Sequence, residues 1–337
     1  MDARLRLALD RWGCAHPRPL SGGAGVRRYF RVEHPSLGSA LVVLYPPLQA
    51  GQDEDPYFEF RALHAYLDPV MRVPTIIQAW DDHRMLLLED LGETTLEARL
   101  VAHPEEETAW AERAGWLLGT WLGPLTLGAP PQAFFMARRL DHARLDFEWA
   151  FSRAHFFNDF LQKDPPKWLD RMMDEVHATL HPRARFLAHR EFNVRNLMVQ
   201  GDNLVVLNFQ DAGCGPATCD LATILFDGYW DWSREAGARL LGQVRKELGW
   251  AEQDLLEELR LSALQRNFKA LGAFGYQIVT RKKGHFAPAI PRTLRHIRGH
   301  FQRLHNGEGV LAAEHWLRVA EKRLWQHRGD EEAGALG

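Results

Sequence analysis

Carboxylate and amide side chains recur at short spacing between residues 189 and 211 of this 337-residue chain. Glu191 is followed five positions later by Asn196, and Asn208 and Asp211 come further along the same stretch. A carboxylate can accept the proton of a substrate hydroxyl, while amide and carboxylate oxygens can ligate Mg²⁺. Residues of these types therefore indicate phosphoryl transfer from a metal-bound nucleotide to a hydroxyl group.

The spacing of these residues supports the same chemistry. The segment His189–Glu191 followed by Asn196 places an acidic residue and an asparagine as kinase catalytic loops do. The apolar runs that follow predict a strand hairpin over residues 197–207, which would deliver Asn208 to the metal. We predict that Glu191 accepts or orients the hydroxyl proton and that the metal ligands are Asn196, Asn208 and Asp211.

A glycine-rich segment near the N-terminus is a candidate phosphate-binding loop. Ser21–Gly25 precedes the strand-like Tyr29–Val32, and its glycines permit close backbone approach to phosphate oxygens. The strand Ala40–Tyr45 carries no lysine, so the positive charge would come from arginines after the glycines. The predicted nucleotide contacts come from Gly22, Gly23, Gly25, Arg27 and Arg28. The alternative is an ordinary surface turn followed by exposed strand arginines.

The elements that must position these residues divide the chain in two. Up to about residue 90, strand-like runs surround one helix over residues 55–67, as in an antiparallel sheet layer. Beyond that point helical periodicity dominates, and the only strand signals are those of the hairpin. We predict an α+β fold with a nucleotide-binding lobe over residues 1–90 and a larger, mainly helical catalytic and substrate lobe over residues 91–337.

The motifs resemble those of the aminoglycoside phosphotransferase and choline kinase superfamily, and most closely those of bacterial anomeric kinases for N-acetylmuramate and N-acetylglucosamine. The similar segments are Arg27–Val32, Leu86–Gly92, Arg195–Met198, Asn208–Ala212 and Gly215–Leu221. The resemblance implies a protein-kinase-like, two-lobed fold with a small antiparallel sheet in the N-lobe. It also implies ATP and Mg²⁺ as cofactors and a small-molecule hydroxyl acceptor such as an amino sugar.

The resemblance assigns roles to individual residues as well. It makes Arg195 a catalytic residue beside Glu191, and it assigns adenine binding to backbone groups from Leu88 to Leu91, with Glu89 and Leu91 as the contacts. Without the resemblance, Glu89 and Leu91 belong simply to a strand end and a turn. Asp220 is interpreted as a helix N-cap that also braces the catalytic loop. Aromatic residues that either fill the core or line an acceptor pocket are Phe156, Phe157, Trp230 and Trp232.

Two positions depart from the motif of the superfamily. Glu191 stands where the family has an aspartate, which adds one methylene group, and Asn208 stands where it has a metal-binding aspartate, which removes a negative charge. Three alternatives to the active sugar kinase are therefore kept. They are a pseudokinase that binds nucleotide or a protein partner, a phosphotransferase with another metal mode or acceptor, and an unrelated helical binding protein.

The composition excludes several functional classes. A net charge of −3 gives no electrostatic reason to expect a nucleic acid or membrane partner. No apolar run reaches membrane-spanning length, and the first residues lack the apolar core of a signal peptide. Three cysteines are too few for a disulfide framework. We therefore predict a cytoplasmic protein, and the oligomeric state is left open.

Overall fold

A computed structural model describes residues 2–20, 27–48 and 55–334. The chain separates into two compact units, of which the first contains Met1–Thr95 and Leu197–Gln210 and the second contains Leu96–Asn196 and Asp211–Gly337. The hairpin at 197–207 therefore groups with the first unit, whereas the sequence predicts it on the helical lobe. The division into nucleotide and substrate lobes at residue 90 stays a prediction.

Strands and helices are both present in the described residues, as predicted for an α+β fold. The strands are β1 (Ala15–Leu20), β2 (Arg28–His34), β3 (Gly38–Leu44), β4 (Ile76–Trp80), β5 (Met85–Glu89), β6 (Phe186–Ala188), β7 (Leu197–Gln200), β8 (Asn203–Val206) and β9 (Gly213–Gly215). The helices up to residue 152 are α1 (Ala3–Trp12), α2 (Pro56–Leu67), α3 (Leu96–Ala102), α4 (Glu107–Thr120), α5 (Thr126–Gly128), α6 (Phe134–Ala137) and α7 (His142–Ser152). The later helices are α8 (Lys167–Leu180), α9 (Thr218–Leu225), α10 (Arg234–Leu248), α11 (Glu252–Gly275), α12 (Ala289–Arg303) and α13 (Gly307–Gly334).

The first unit is built on a five-stranded antiparallel sheet in the order β1-β2-β3-β5-β4. Successive side chains on a strand point to opposite faces, so alternate residues of β3 and β5 cover α1. The buried cluster that results contains Leu5, Ala8, Leu9, Trp12, Val42, Leu44, Met85 and Leu87. The hairpin of β7 and β8 adds a small cluster of Leu91, Met198 and Val205.

Strand β1 is absent from the sequence prediction. Its sequence contains Pro17 and Pro19, and proline is excluded from central strands because it lacks a backbone N–H donor. Among the strands of the described residues, β1 pairs with β2 alone and forms one edge of the sheet, where proline is tolerated. The short strands β6 and β9, three residues each, are also missed because such runs carry no periodicity.

The second unit is mainly helical, and α11 runs through its core. Residues of α11 pack with α7, α8 and α12 in one large cluster that includes Trp149, Met173, Phe268, Leu271 and Ile297. The approach of α11 to α7 is close because Gly272 has no side chain. A Cβ at this position would lie 2.7 Å from Ser152 Cα and 2.8 Å from Ser152 Oγ. Among the described residues, no helix is long and apolar enough to cross a membrane.

We expect Gly272→Ala to destabilise the protein by about 1–3 kcal/mol, because the added methyl group must push α11 away from the backbone of α7. The matched control is Gly242→Ala on α10, where a Cβ meets nothing within 4 Å. That change should stabilise the protein by about 0.5–1 kcal/mol through helix propensity. Chemical denaturation of both variants measures the difference. Equal effects would show that the contact of Gly272 with Ser152 is not tight.

Candidate active site

The loop from His189 to Asn196 lies entirely in the second unit and is anchored by Asp220. The Asp220 carboxylate accepts the backbone N–H of His189 at 2.5 Å and that of Arg190 at 2.8 Å. Its side chain is fully buried, and burial raises its pKa although Arg266 acts in the opposite direction. The interpretation of Asp220 as a helix N-cap is wrong, because α9 begins at Thr218 and its cap is Ala217. The other part of that interpretation, that Asp220 braces the catalytic loop, agrees with these two hydrogen bonds.

The second anchor of the loop is a buried ionic network around Arg190. This residue has a positive φ of 70°, which is unusual for a side chain of its size. Arg266 holds the conformation by donating to the Arg190 carbonyl at 2.6 Å, and its other terminal nitrogen donates to Glu148 at 3.1 Å. Burial would raise the pKa of Glu148, but nearby Arg266 and Lys269 bring it below its usual value. His189 and Arg190 thus belong to the support of the loop.

After Glu191 the chain makes a turn that is closed by asparagine side chains. Asn193 Oδ1 accepts the backbone N–H groups of Arg195 at 3.0 Å and Asn196 at 3.2 Å. Asn196 Nδ2 donates to the Glu191 carbonyl at 2.8 Å. The amide oxygen of Asn196 is the atom that would ligate a metal ion, because the amide nitrogen is a donor only. The loop therefore brings Glu191, Arg195 and Asn196 together.

The Glu191 side chain leaves this loop partly exposed and meets a lysine that the sequence does not reveal. Lys269 Nζ on α11 forms an ion pair with Glu191 Oε1. The two residues are 78 positions apart. A lysine within a helical run is usually solvated, so only the packing of α11 beside the loop shows the contact.

Arg195 is oriented by two neighbours that are also missing from the sequence prediction. Its guanidinium donates to both Glu97 carboxylate oxygens, at 2.7 Å and 2.8 Å, and lies 3.7 Å from the centre of the Tyr229 ring. A bidentate pair of this kind restricts the guanidinium to one plane. Arg195 is thereby held in one orientation beside an open cavity.

The cavity has a volume of about 310 Å³ and lies within the second unit. Small-molecule sites begin at roughly this size. Its walls combine charged and aromatic side chains, including Glu97, Arg195, Tyr229, Trp230, His285 and Arg292. Of the aromatic residues considered for an acceptor pocket, Trp230 lines this cavity. Phe156 and Phe157 are fully buried in the core, so for them the core interpretation is correct.

Asp227 connects the loop to this cavity. Its carboxylate accepts the backbone N–H of Val194 at 2.9 Å and that of Tyr229 at 2.8 Å. Burial raises the pKa of Asp227 to about 7, although these two hydrogen bonds favour the ionised form. With a pKa of about 7, the Asp227 carboxyl group changes charge near neutral pH. It does so between Val194 of the loop and Tyr229 of the cavity wall.

The predicted nucleotide contacts lie in the first unit. Gly22, Gly23 and Gly25 fall outside the described residues. Arg27 lies over the rings of Tyr29 and Tyr45, at 5.7 Å from each centre, and Arg28 pairs with Asp2 at the start of α1. Arg27 immediately precedes β2 and Arg28 is its first residue, and Arg28 would have to exchange Asp2 for a phosphate.

The predicted adenine segment lies at the end of β5. The Glu89 carboxylate pairs with Arg72 and accepts the Thr75 backbone N–H at 3.0 Å. The Leu91 carbonyl accepts from Gln200 Nε2 at 2.6 Å. The hairpin of β7 and β8 thus holds this segment through Gln200, which the sequence does not indicate.

The donor set of the predicted metal ligands is suited to Mg²⁺, since it consists of amide and carboxylate oxygens. Asn208 is exposed in the first unit and has a positive φ of 55°. Its neighbour Phe209 is buried and stacks on Phe60 at 4.9 Å. Asn196 and the exposed Asp211 belong to the second unit. Their assignment as ligands stays a prediction.

Comparison with known proteins decides the family. The profile of the phosphotransferase enzyme family matches residues 16–261. The chain belongs to this family. N-acetylmuramate/N-acetylglucosamine kinases are among its relatives. The one from Neisseria meningitidis is 28% identical over 82% of each chain, and the one from Pseudomonas aeruginosa is 28% identical over 85% of each chain.

Solved structures show the same fold at low sequence identity. The ADP-bound aminoglycoside phosphotransferase APH(2'')-Ib has a TM-score of 0.58 at 14% identity and covers 88% of this chain and 98% of its own. Choline kinase LicA from Streptococcus pneumoniae has a TM-score of 0.58 at 9% identity and covers 89% of this chain and 100% of its own. The predicted superfamily, the kinase-like α+β fold and membership of a phosphotransferase enzyme family are confirmed.

We expect the stability that Asp227 contributes to fall as the pH rises. The folded state holds its proton up to about pH 7, whereas an aspartate in the unfolded chain loses it near about pH 3.9. Between these values unfolding releases a proton, so the unfolding free energy of the wild type should decrease relative to that of Asp227→Asn. The expected slope is about 1.4 kcal/mol per pH unit.

Urea denaturation of both proteins from about pH 4 to about pH 8 measures this difference. The slope should vanish above about pH 7, where both states are ionised. A constant difference over the whole range would mean that Asp227 is already ionised in the folded protein.

Proposed function

We propose that this protein transfers the γ-phosphoryl group of ATP to a hydroxyl of an amino sugar. The observation that carries the proposal is the anchored loop, which presents the Glu191 carboxylate to solvent while Arg195, on the same loop, lines a cavity of about 310 Å³. A carboxylate on the same anchored loop as a residue that lines a substrate-sized cavity supports a role for Glu191 in accepting a hydroxyl proton.

In the proposed reaction, Glu191 accepts the proton of the acceptor hydroxyl. The hydroxyl oxygen forms a bond to the γ-phosphorus, and the bond from that phosphorus to the leaving ADP oxygen breaks. Mg²⁺, when bound, neutralises the charge that develops on the phosphates. The residues that would hold it are Asn196, Asn208 and Asp211, with Asp211 supplying the carboxylate that Asn208 lacks.

The nucleotide would be held mainly by the first unit. Arg27 and Arg28 supply positive charge for the phosphates, together with Gly22, Gly23 and Gly25. Backbone groups of the segment from Glu89 to Leu91 would bind adenine, and Gln200 keeps that segment in place through its bond to the Leu91 carbonyl.

The cavity and the relatives both support an amino sugar as the acceptor. A sugar presents hydroxyl groups around an apolar ring face, and the cavity offers Tyr229 and Trp230 beside Glu97, Arg195 and Arg292. The names of the relatives place N-acetylmuramate and N-acetylglucosamine first among the acceptors to test.

A nucleotide-binding pseudokinase is the second candidate, because Asn208 removes a negative charge from the metal ligands and Glu191 replaces the usual aspartate. The two candidates differ in turnover and agree in nucleotide binding. A thermal-shift measurement with ATP, with and without Mg²⁺, tests the part that they share, and stabilisation is expected.

We expect ADP release from Mg²⁺-ATP to depend on N-acetylmuramate or N-acetylglucosamine, with choline and streptomycin much less effective. Glu191→Gln should lower kcat by about 10²–10⁴-fold, because it removes the proton acceptor. The matched control is Glu112→Gln, an exposed glutamate of α4, which should leave kcat unchanged. Stabilisation by ATP without any turnover would favour the pseudokinase, and equal rates for wild type and Glu191→Gln would remove Glu191 from the chemistry.

A further inference from the structure

The backbone of the catalytic loop is fixed on both sides of Glu191. The Glu191 N–H donates to His189 Nδ1 at 3.2 Å, and the Glu191 carbonyl accepts from Asn196 Nδ2 at 2.8 Å. These bonds do not fix the side chain, because a glutamate has one more rotatable bond than an aspartate. A carboxylate that accepts a proton must nevertheless lie within hydrogen-bond reach of it. A contact from outside the loop is needed to place it.

The ion pair with Lys269 supplies that contact. Lys269 Nζ meets Glu191 Oε1, and the two side chains are 23% and 45% exposed, respectively. The lysine is thus the more buried partner and can serve as the fixed one. It engages one carboxylate oxygen and leaves almost half of the Glu191 side chain accessible to a substrate.

The position of Lys269 is itself set by its neighbours on α11. Arg266, about one turn earlier, donates to the Arg190 carbonyl at 2.6 Å. Gly272, about one turn later, allows the close approach of α11 to Ser152. Lys269 lies between these two contacts, so the helix reaches both the backbone and the side chain of the loop from one face.

We propose that Lys269 is a positioning residue whose ammonium group orients the Glu191 carboxylate to accept the hydroxyl proton. The catalytic role of this ion pair rests on the proposed function, whereas the ion pair itself can be detected without turnover.

Both signs of charge surround Lys269. The groups that face it are Arg144 and Glu148 on α7, His177 on α8, Arg190 and Glu191 in the loop, and Arg266 on α11. Burial lowers the pKa of Lys269, and the buried Glu148 carboxylate raises it. The net direction of this pKa is downward, so the charged ammonium that the pair needs depends on the two neighbouring carboxylates, Glu148 and Glu191.

Steady-state kinetics from about pH 5 to about pH 9 test the positioning role. Lys269→Gln should lower kcat at least tenfold with little change in the KM of the acceptor, and the acid limb of the pH profile should move up by about one unit. Lys269→Arg keeps the positive charge and should restore most of the rate. The matched control, Lys246→Gln at an exposed position of α10, should behave as wild type.

Carbon NMR titration of the Glu191 carboxyl in the nucleotide-free protein tests the pair independently of turnover. The signal is identified by its loss in Glu191→Gln, and its midpoint should rise by about one pH unit in Lys269→Gln. If Lys269→Gln does not fold, the same titration in Lys269→Arg should give the wild-type midpoint.

An unchanged midpoint in Lys269→Gln, or a shifted midpoint in Lys269→Arg, would overturn the ion pair. A shifted midpoint in Lys269→Gln with wild-type kcat and pH profile would overturn the positioning role. Absence of turnover with every acceptor would count against the proposed function, and the titration would still decide whether Lys269 controls the Glu191 carboxylate.

Discussion

The carboxylate of Asp220 accepts the backbone N–H groups of His189 and Arg190, and the geometry of the catalytic loop depends on this contact. Each buried N–H left without an acceptor would cost about 1–3 kcal/mol. The contact lies beside Arg190, whose positive φ of 70° is sparsely populated and needs such support. Hydrogen bonds within the second unit therefore shape the loop, and a bound substrate is not needed for them.

Helix α11 carries the second half of this support. Arg266 binds the carbonyl of Arg190, Lys269 binds the carboxylate of Glu191, and Gly272 brings the helix close enough for both. Buried ions of this kind are stable only as a connected set, because each isolated charge would pay a large desolvation penalty. Glu148 completes the set by accepting from Gln265 and Arg266. Helix α11 thus contacts both the backbone of the loop, at Arg190, and the side chain of Glu191.

Spacing along the chain predicts the parts of this site that are local in sequence. The separation of Glu191 from Asn196, and the hairpin after them, were sufficient to indicate the fold class and to bring Glu191, Arg195 and Asn196 onto one loop. Lys269, Glu97 and Asp227 could not be predicted in this way, because their contacts with the loop span 78, 98 and 33 positions. Asp220 was misassigned as a cap for a similar reason, since its partners lie 30 and 31 positions earlier.

Amide hydrogen exchange of His189 and Arg190 in the nucleotide-free protein tests the central claim, that the second unit forms the catalytic loop by itself. Both amides donate to a buried carboxylate, so they should exchange as slowly as the core amides of α11 and should be unaffected by ATP. Exchange at the rate of exposed amides, slowed only when ATP is added, would contradict the account and make the nucleotide the agent that orders the loop.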